Sequence, residues 1–138
     1  MAVEVYVREY IQVGHRLIEL PGKCQQIHGH SMLVTMTLSG ETDHNGYLVD
    51  SNGTVMDFSE VKKVFRNHLN DHYDHHLLLS MADPLVELNL PGVTVTGSDP
   101  CVENIANWIY DQMKYGAGFS VKSIEVQETA TNGVIYRG

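Results

Sequence analysis

The sequence predicts an α+β fold in two layers, with two helices packed on one face of a four-stranded antiparallel sheet. Three observations favour this fold. Apolar and polar residues alternate in two segments near the N-terminus, as in strands buried on one face. Two central segments repeat apolar residues at helical spacing, and two further alternating segments close the chain. The predicted order is β-β-α-α-β-β in one domain, residues 1–138, whose open sheet edges favour oligomerisation.

The first two predicted strands each carry histidines on their apolar side. The first strand runs from Val3 to His15 and the second from Ser31 to Ser39, with His28-Gly29-His30 leading directly into it. Side chains two residues apart on a strand share a face. His15, His28 and His30 are therefore in register with the apolar residues of their strands and should converge at one end of the hairpin.

Three imidazoles on one apolar face are costly to bury unless something binds them. Zinc suits neutral imidazole, and three protein ligands with an open position are typical of a catalytic site. The pattern therefore predicts Zn²⁺ at His15, His28 and His30; the alternative is three separately hydrogen-bonded core histidines. Cys24 precedes the strand, so it is either free of the metal or a fourth ligand that closes a structural site.

Two amphipathic helices are predicted in the middle of the chain. Asp57 with Glu60 three residues later forms a capping-box pattern. The helix that follows has an apolar stripe formed by Val61, Val64, Phe65, His68 and Leu69. The second helix is expected to start near Asp99-Pro100, with Pro100 at its first position, and to stop near Gly116. Its stripe is formed by Val102, Ile105, Ala106, Ile109 and Met113.

The closing strands run from Ser120 to Glu128 and, after a turn around Asn132-Gly133, from Val134 to Arg137. Glu128 shares a face with apolar neighbours, where a carboxylate needs a cation or paired N–H donors. A ligand with two adjacent N–H groups, such as a pterin or guanine edge, meets that need; the alternative is an exposed strand end.

Composition excludes several classes of function. The formal net charge is −8 without a basic stripe, which argues against nucleic acid as the main partner. No apolar run approaches membrane-spanning length, and Met1 to Glu4 does not open a secretory signal. Two cysteines, Cys24 and Cys101, do not form a disulfide framework, so a cytoplasmic protein is expected.

These motifs together resemble the 6-pyruvoyltetrahydropterin synthase / 6-carboxytetrahydropterin synthase family over nearly the whole chain. The first strand ends in a histidine, and a cysteine precedes His-Gly-His. The family's Asp-His-x-x-Leu and Glu-Thr-x-x-x-Gly motifs follow later in the sequence. The matching residues are His15, Cys24, His28, His30, Asp74, His75, Leu78, Glu128, Thr129 and Gly133.

The resemblance implies the T-fold, in which subunits assemble into a β-barrel oligomer, here a homohexamer built as a dimer of trimers. It implies Zn²⁺ on the three histidines and Cys24 as the catalytic base. Asp74 and His75 would manage protons for Cys24, from a neighbouring subunit. Substrate-binding roles are implied for Glu128, Thr129 and Glu103, with Glu128 clamping the pterin.

Three residues separate Cys24 from His28, as in bacterial 6-carboxytetrahydropterin synthases. The implied activity is a carbon–oxygen and carbon–carbon lyase acting on 7,8-dihydroneopterin triphosphate, giving 6-carboxytetrahydropterin, acetaldehyde and triphosphate for queuosine and other 7-deazapurines. Alternatives are 6-pyruvoyltetrahydropterin synthase activity and a non-catalytic, zinc-stabilised pterin-binding module. One departure is Cys101 in Pro100-Cys101-Val102-Glu103, where relatives usually have threonine.

Overall fold

The computed structural model describes residues 2–138. In this part of the chain, six strands and two α-helices follow one another along the sequence. They are β1 (Ala2–His15), β2 (His28–Glu41), α1 (Phe58–His72), β3 (Leu77–Ser80), β4 (Val93–Thr96), α2 (Val102–Asp111), β5 (Val121–Thr129) and β6 (Asn132–Tyr136). All six strands belong to one sheet, in the order β4-β3-β1-β2-β5-β6.

The α+β class and both helices are confirmed, but the prediction of a four-stranded, wholly antiparallel sheet is wrong. Strands β3 and β4 were not predicted, and they extend the sheet beyond β1 in parallel orientation. Each has only four residues, and the Leu77-Leu78-Leu79 run of β3 shows no alternation. Buried parallel strands commonly consist of such continuous apolar runs, which periodicity cannot distinguish from other buried segments.

The antiparallel hairpin of β1 and β2 places the predicted inward residues of one strand beside those of the other. Its register pairs His15 with His28 and Val13 with His30 at one end, and Ala2 with Glu41 at the other. The inward residues of β1, β2 and β5 form one core with those of both helices, so the helices cover the same face of the sheet. Fully buried members of this core are Ile11, Met32, Val34, Met36, Phe65, Leu69, Leu78, Ile105, Ala106, Ile109, Ile124 and Val126.

Helix α1 begins after Asp57, whose carboxylate accepts a hydrogen bond from the Ser59 backbone N–H. Val61, Phe65 and Leu69 are buried, as the stripe predicted. Val64 is 38% exposed, so its place in that stripe is wrong.

Helix α2 begins at Val102 with Cys101 as its N-cap, so the prediction that Pro100 is the first helical residue is wrong. Pro100 lies before the cap, which leaves its carbonyl free to accept a hydrogen bond from outside the helix. A π-helical turn, Gln112–Gly116, continues α2 and ends at the predicted glycine.

The last hairpin turns at residues 130–131 rather than at Asn132-Gly133, which already belong to β6. A Cβ atom on Gly133 would lie 2.5 Å from the Val126 carbonyl oxygen and 2.9 Å from the Gln127 Cα. Only glycine allows this close approach of the two strands.

Across residues 2–138, no helix combines the length and the hydrophobicity that crossing a lipid bilayer requires.

Candidate metal centre and active site

The three histidines converge at the end of the β1–β2 hairpin, as the strand pattern predicted. Their possible ligand atoms all lie within 4.8 Å of one another. The ring centroid of His15 is 4.5 Å from that of His28 and 5.2 Å from that of His30. His15 is fully buried, and the other two are half-buried. The cluster therefore has a buried floor and an open side.

His15 has one nitrogen bound and one left without a partner. Its Nδ1 lies 2.7 Å from the Pro100 carbonyl oxygen, which can only accept, so Nδ1 carries the proton. The lone pair is then on Nε2, which is buried and has no hydrogen-bond partner within residues 2–138. A buried nitrogen acceptor without a partner is costly, and a metal ion would satisfy it.

The protonation state of His15 also suits a metal ligand. Burial lowers the pKa of His15, against the opposing effect of the Pro100 hydrogen bond, and the neighbouring His28 and His30 lower it further. The ring is thus held neutral, which is the form that binds a metal. His28 makes an equivalent contact, with its Nδ1 2.7 Å from the Gln26 carbonyl oxygen. Such second contacts of ligand histidines fix the ring orientation.

The donor set is three imidazole nitrogens, and the residues fit a borderline metal such as zinc better than magnesium or calcium, which prefer oxygen. Among the residues that the structure describes, this group includes no cysteine and no carboxylate. Cys24 therefore lies outside the ligand cluster.

Cys24 lies in a short 3₁₀ turn, Lys23–Gln25, between β1 and β2. Its carbonyl oxygen accepts a hydrogen bond of 2.8 Å from the Leu17 N–H. The next two residues of the loop, Ile18 and Glu19, donate their N–H groups to the Asp99 carboxylate at 3.2 and 2.7 Å. Asp99 therefore holds the Cys24 loop, while the adjacent Pro100 holds His15.

The sequence did not predict this role of Asp99, because an Asp-Pro pair indicates a turn or helix start and not what its carboxylate binds. A second anchor of the same loop was also missed. Arg16 Nε lies 2.9 Å from Asp83, whose side chain is completely buried. This ion pair connects the residue after His15 to the segment between β3 and β4.

Asp74 and His75 form the pair that the sequence predicted, with His75 Nδ1 3.0 Å from Asp74 Oδ2. His75 has a positive φ of 63° and a side chain that is 77% exposed. Burial raises the pKa of Asp74, but the Gln12 N–H, His75 and Arg66 outweigh it, and the net shift is downward. Asp74 is therefore ionised and can hold His75 in one orientation.

The group of possible metal ligands, His15, His28 and His30, does not include His75. His75 lines a shallow cavity of about 670 Å³ together with Gln12, Ser31, His28 and His30. By strand alternation, Gln12 and Ser31 point to the face of the sheet opposite that of His15 and His30.

Glu128 and Thr129 lie at the end of β5, and Glu128 is close enough to His15 to act on its charge. Glu128 is half-buried, and its charge raises the pKa of His15, a minor effect against the lowering by burial. Asn132 was not predicted to take part, but its Nδ2 lies 3.4 Å from Glu128 Oε1 and its Oδ1 accepts from the Thr129 hydroxyl. This amide fixes both side chains to the turn.

Glu103 is exposed in the first turn of α2. Burial raises the pKa of Cys101, and the charge of Glu103 adds to that effect although hydrogen bonds to backbone N–H groups oppose it. Cys101 is therefore a protonated thiol at the helix cap rather than an activated nucleophile.

The fold and the site define a small α+β protein with three clustered histidines, at one end of its sheet, that could hold a metal ion. The family model described as 6-pyruvoyl tetrahydropterin synthase matches residues 4–138, and the chain belongs to this family.

Curated relatives carry two names. The chain is 28% identical over 125 residues to a 6-carboxy-5,6,7,8-tetrahydropterin synthase of Rickettsia felis, covering 84% of this chain and 86% of the relative. It is also 28% identical to the Haemophilus influenzae protein of the same name, covering 91% and 92%. A 6-pyruvoyl tetrahydrobiopterin synthase of Dictyostelium discoideum is 25% identical over 141 residues, covering 95% and 93%.

Solved structures show the same fold. An uncharacterized protein from Wolinella succinogenes superposes with a TM-score of 0.80 at 18% identity, covering 100% of this chain and 99% of the other. The 6-pyruvoyl tetrahydropterin synthase of Caenorhabditis elegans superposes with a TM-score of 0.71 at 22% identity, covering 100% and 96%.

Proposed function

We propose that this protein is a zinc-dependent 6-carboxy-5,6,7,8-tetrahydropterin synthase that converts 7,8-dihydroneopterin triphosphate and water to 6-carboxytetrahydropterin, acetaldehyde and triphosphate. The observation that carries the proposal is the partnerless Nε2 of buried His15 within a cluster of three histidines. The names of the relatives at 28% identity support the choice of substrate and product.

His15, His28 and His30 would hold the zinc ion through neutral imidazole nitrogens. When bound, zinc supplies a Lewis acid that lowers the pKa of coordinated hydroxyl groups. His15 and His28 enter the site already oriented, because carbonyl oxygens hold the Nδ1 of each ring. The protein's part is thus to present fixed nitrogen donors and leave one side of the cluster open.

Cys24 takes the proton from a side-chain carbon of the substrate, as the base of the reaction. It can do so only from a fixed position, and the loop contacts to Leu17 and Asp99 supply that position. Because Asp74 accepts from His75 Nδ1, the Nε2 lone pair of His75 points outward and can exchange protons with Cys24. Because the resemblance to the family implies a site shared between subunits, we assign this role to the His75 of a neighbouring copy.

Glu128 binds the pterin through its amino and ring N–H groups, which match two carboxylate oxygens. Its half-buried position near the metal histidines supports this role, since the reacting side chain and the pterin ring must lie side by side. Thr129 and Glu103 complete the substrate site. The two carboxylate oxygens of Glu128 orient the pterin ring relative to Cys24.

The 138 residues act as one T-fold domain, and copies assemble through their sheet edges into a homohexamer of two trimers, with β-barrel character. The enzyme works in the cytoplasm, on the route to queuosine and other 7-deazapurines. Sedimentation equilibrium of the purified protein tests the hexamer directly.

A second activity is favoured by one specific observation. The Dictyostelium relative, which matches over 95% of this chain, is named for the pyruvoyl-forming reaction. The two reactions start from the same substrate and differ in carbon–carbon cleavage. Release of acetaldehyde indicates the carboxy-forming activity, and a retained three-carbon side chain indicates the pyruvoyl-forming one.

The test is mass analysis of the products formed from 7,8-dihydroneopterin triphosphate, with zinc quantified in the same sample. Wild type should contain zinc and release acetaldehyde. Cys24→Ala should keep its zinc and lose about 100-fold or more in turnover, the range expected for removing a general base. Loss of both zinc and turnover would make Cys24 a ligand, and a zinc-loaded wild type without product would leave only a pterin-binding module.

A further inference from the structure

Arg66 makes an unusual number of directed contacts for a half-exposed side chain of α1. Its Nη2 lies 2.9 Å from Asp74 Oδ2. Its Nη1 donates to the Tyr10 carbonyl oxygen at 2.5 Å, and its Nε donates to Asn70 Oδ1 at 2.8 Å. Nη2 also donates to Asn70 Oδ1 at 2.5 Å, and Nη1 lies 3.6 Å from Glu9 Oε2. Every guanidinium nitrogen therefore has an acceptor, which fixes the plane of the group.

These contacts complete an edge of β1 that its neighbouring strand leaves open. Within residues 2–138, strand β3 pairs with β1 at two positions, Gly14 and His15. Nearer the start of β1, Arg66 donates to the Tyr10 carbonyl oxygen. The Asp74 carboxylate accepts from the Gln12 N–H at 2.7 Å, and the His75 N–H donates to the Gln12 carbonyl oxygen at 2.6 Å. The segment that carries Asp74 and His75 thus takes the place of a pairing strand.

Asp74 is held at both carboxylate oxygens. Oδ1 accepts from the Gln12 backbone, and Oδ2 is shared between Arg66 and His75. The Gln12 contact fixes where the carboxylate lies, and the Arg66 contact fixes how it is rotated toward His75. Without Arg66, the carboxylate would keep its anchor but lose the partner that holds Oδ2 in place.

We propose that Arg66 is a positioning residue for the Asp74–His75 pair, holding Asp74 ionised and turned toward His75; this assignment rests on the proposed function of that pair. Arg66 touches neither the metal histidines nor the predicted pterin site. Of its partners, only Asp74 belongs to the proposed catalytic pair, so the loss of Arg66 should lower kcat and leave KM unchanged.

The experiment compares Arg66→Met, Arg66→Lys and the control Lys62→Met. Lys62 is an exposed cation one turn earlier on the same helix, so its removal costs the same charge without the Asp74 contact. Steady-state kinetics should show a fall in kcat of about 10- to 100-fold for Arg66→Met, as for displaced catalytic groups, with KM unchanged. Arg66→Lys should recover part of kcat because it keeps the charge but not the fork.

A second measurement does not depend on turnover. Carbon-13 NMR of the carboxyl of Asp74, assigned by its absence in Asp74→Asn, reports the pKa of this group. Arg66 is among the groups that lower the pKa of Asp74, so that pKa should rise in Arg66→Met and stay at its wild-type value in Lys62→Met.

The outcomes separate the two proposals. If wild type forms no product, the proposed function fails, while the NMR titration still tests the coupling of Arg66 to Asp74. If Arg66→Met keeps the kcat of Lys62→Met, or if the pKa of Asp74 does not move, Arg66 is not a positioning residue. Equal losses in Arg66→Met and Arg66→Lys with an unchanged Asp74 pKa would indicate a purely structural role and would also overturn the inference.

Discussion

The chemistry of the site is decided by where single nitrogen and oxygen atoms find partners. His15 is tied to Pro100 through Nδ1, and this one hydrogen bond leaves its Nε2 facing the other two histidines. Strand parity was enough to predict that the three rings share a face, because alternation is a property of every strand. It could not predict the Pro100 contact, which joins residues 85 positions apart in the sequence.

Removing one ligand should abolish the metal site. Loss of a partner that only orients a ligand costs about 10- to 100-fold in metal affinity. His28→Gln removes a ligand itself and leaves two imidazoles, so zinc binding should weaken by more than that. Metal analysis of the purified variant and a competition titration with a chelator measure this. His44→Gln is the matched control, because His44 is an exposed histidine in the loop after β2. A His28→Gln protein with full zinc content would contradict the proposed ligand set.

Asp99 provides a test of the loop that carries Cys24. Asp99→Ala removes both acceptors for the N–H groups of Ile18 and Glu19, so kcat should fall by about 100-fold, the cost of a misplaced catalytic group. Zinc content should remain, because the Pro100 carbonyl that holds His15 belongs to the backbone and is still present.

The control for that variant is Asp50→Ala. Asp50 also accepts two backbone N–H bonds within a loop, from Asn52 and Thr54, but it lies away from the histidine cluster. The Asp50→Ala protein should lose a similar amount of stability as Asp99→Ala and keep the wild-type kcat. Equal activity in the two variants would show that the Asp99 contacts do not serve catalysis.

At the scale of elements, prediction succeeded for long periodic segments and failed for short ones. Strands β1 and β2 each have 14 residues, and their alternation predicted both their faces and their pairing. Strands β3 and β4 have four residues each and depend on a neighbour to exist as strands. Their formation is determined by tertiary contacts that no local pattern reports.

The start of α1 was predicted from Asp57, and its contribution can be measured. Asp57→Ala removes the acceptor for the Ser59 N–H and should lower the free energy of unfolding by about 1 kcal/mol. Denaturant unfolding followed by circular dichroism gives this value. Asp71→Ala, in the last turn of the same helix, should be neutral or slightly stabilising, because a carboxylate there opposes the helix dipole. A destabilisation equal in both variants would contradict capping by Asp57.

At the scale of the whole molecule, α1 and α2 are joined by a polar contact inside the helix layer. His68 Nε2 lies 2.7 Å from Gln112 Oε1, which also accepts from the Tyr73 hydroxyl at 2.8 Å. Burial lowers the pKa of His68, against the opposing effect of the Gln112 bond, and the neighbouring His72 adds to the lowering. Gln112 belongs to the π-helical turn, so this irregular turn is where the two helices are held together.

The lowered pKa of His68 predicts the pH dependence of stability. An unfolded histidine takes up its proton near pH 6.5, whereas folded His68 does so only at lower pH. Between these two values the unfolded state binds more protons, so stability falls as the pH falls below about 6.5. Unfolding titrations of wild type and His68→Gln between pH 7 and 5 should show a shallower slope in the variant. The control variant is His44→Gln, which removes an exposed histidine. Parallel slopes in all three proteins would contradict this origin.

The parallel pairing of β1 with β3 also has a consequence for synthesis on the ribosome. Gly14 cannot pair until Leu77 has been synthesised, and β3 cannot pair with β4 until Val93 has been synthesised. That side of the sheet is incomplete until then. The nascent hairpin of β1 and β2 can form well before either partner has emerged. Until then its unpaired backbone is open to strands of other nascent chains. Translation speed across residues 42–96 therefore sets how long this edge stays exposed, and with it the yield of correctly folded protein.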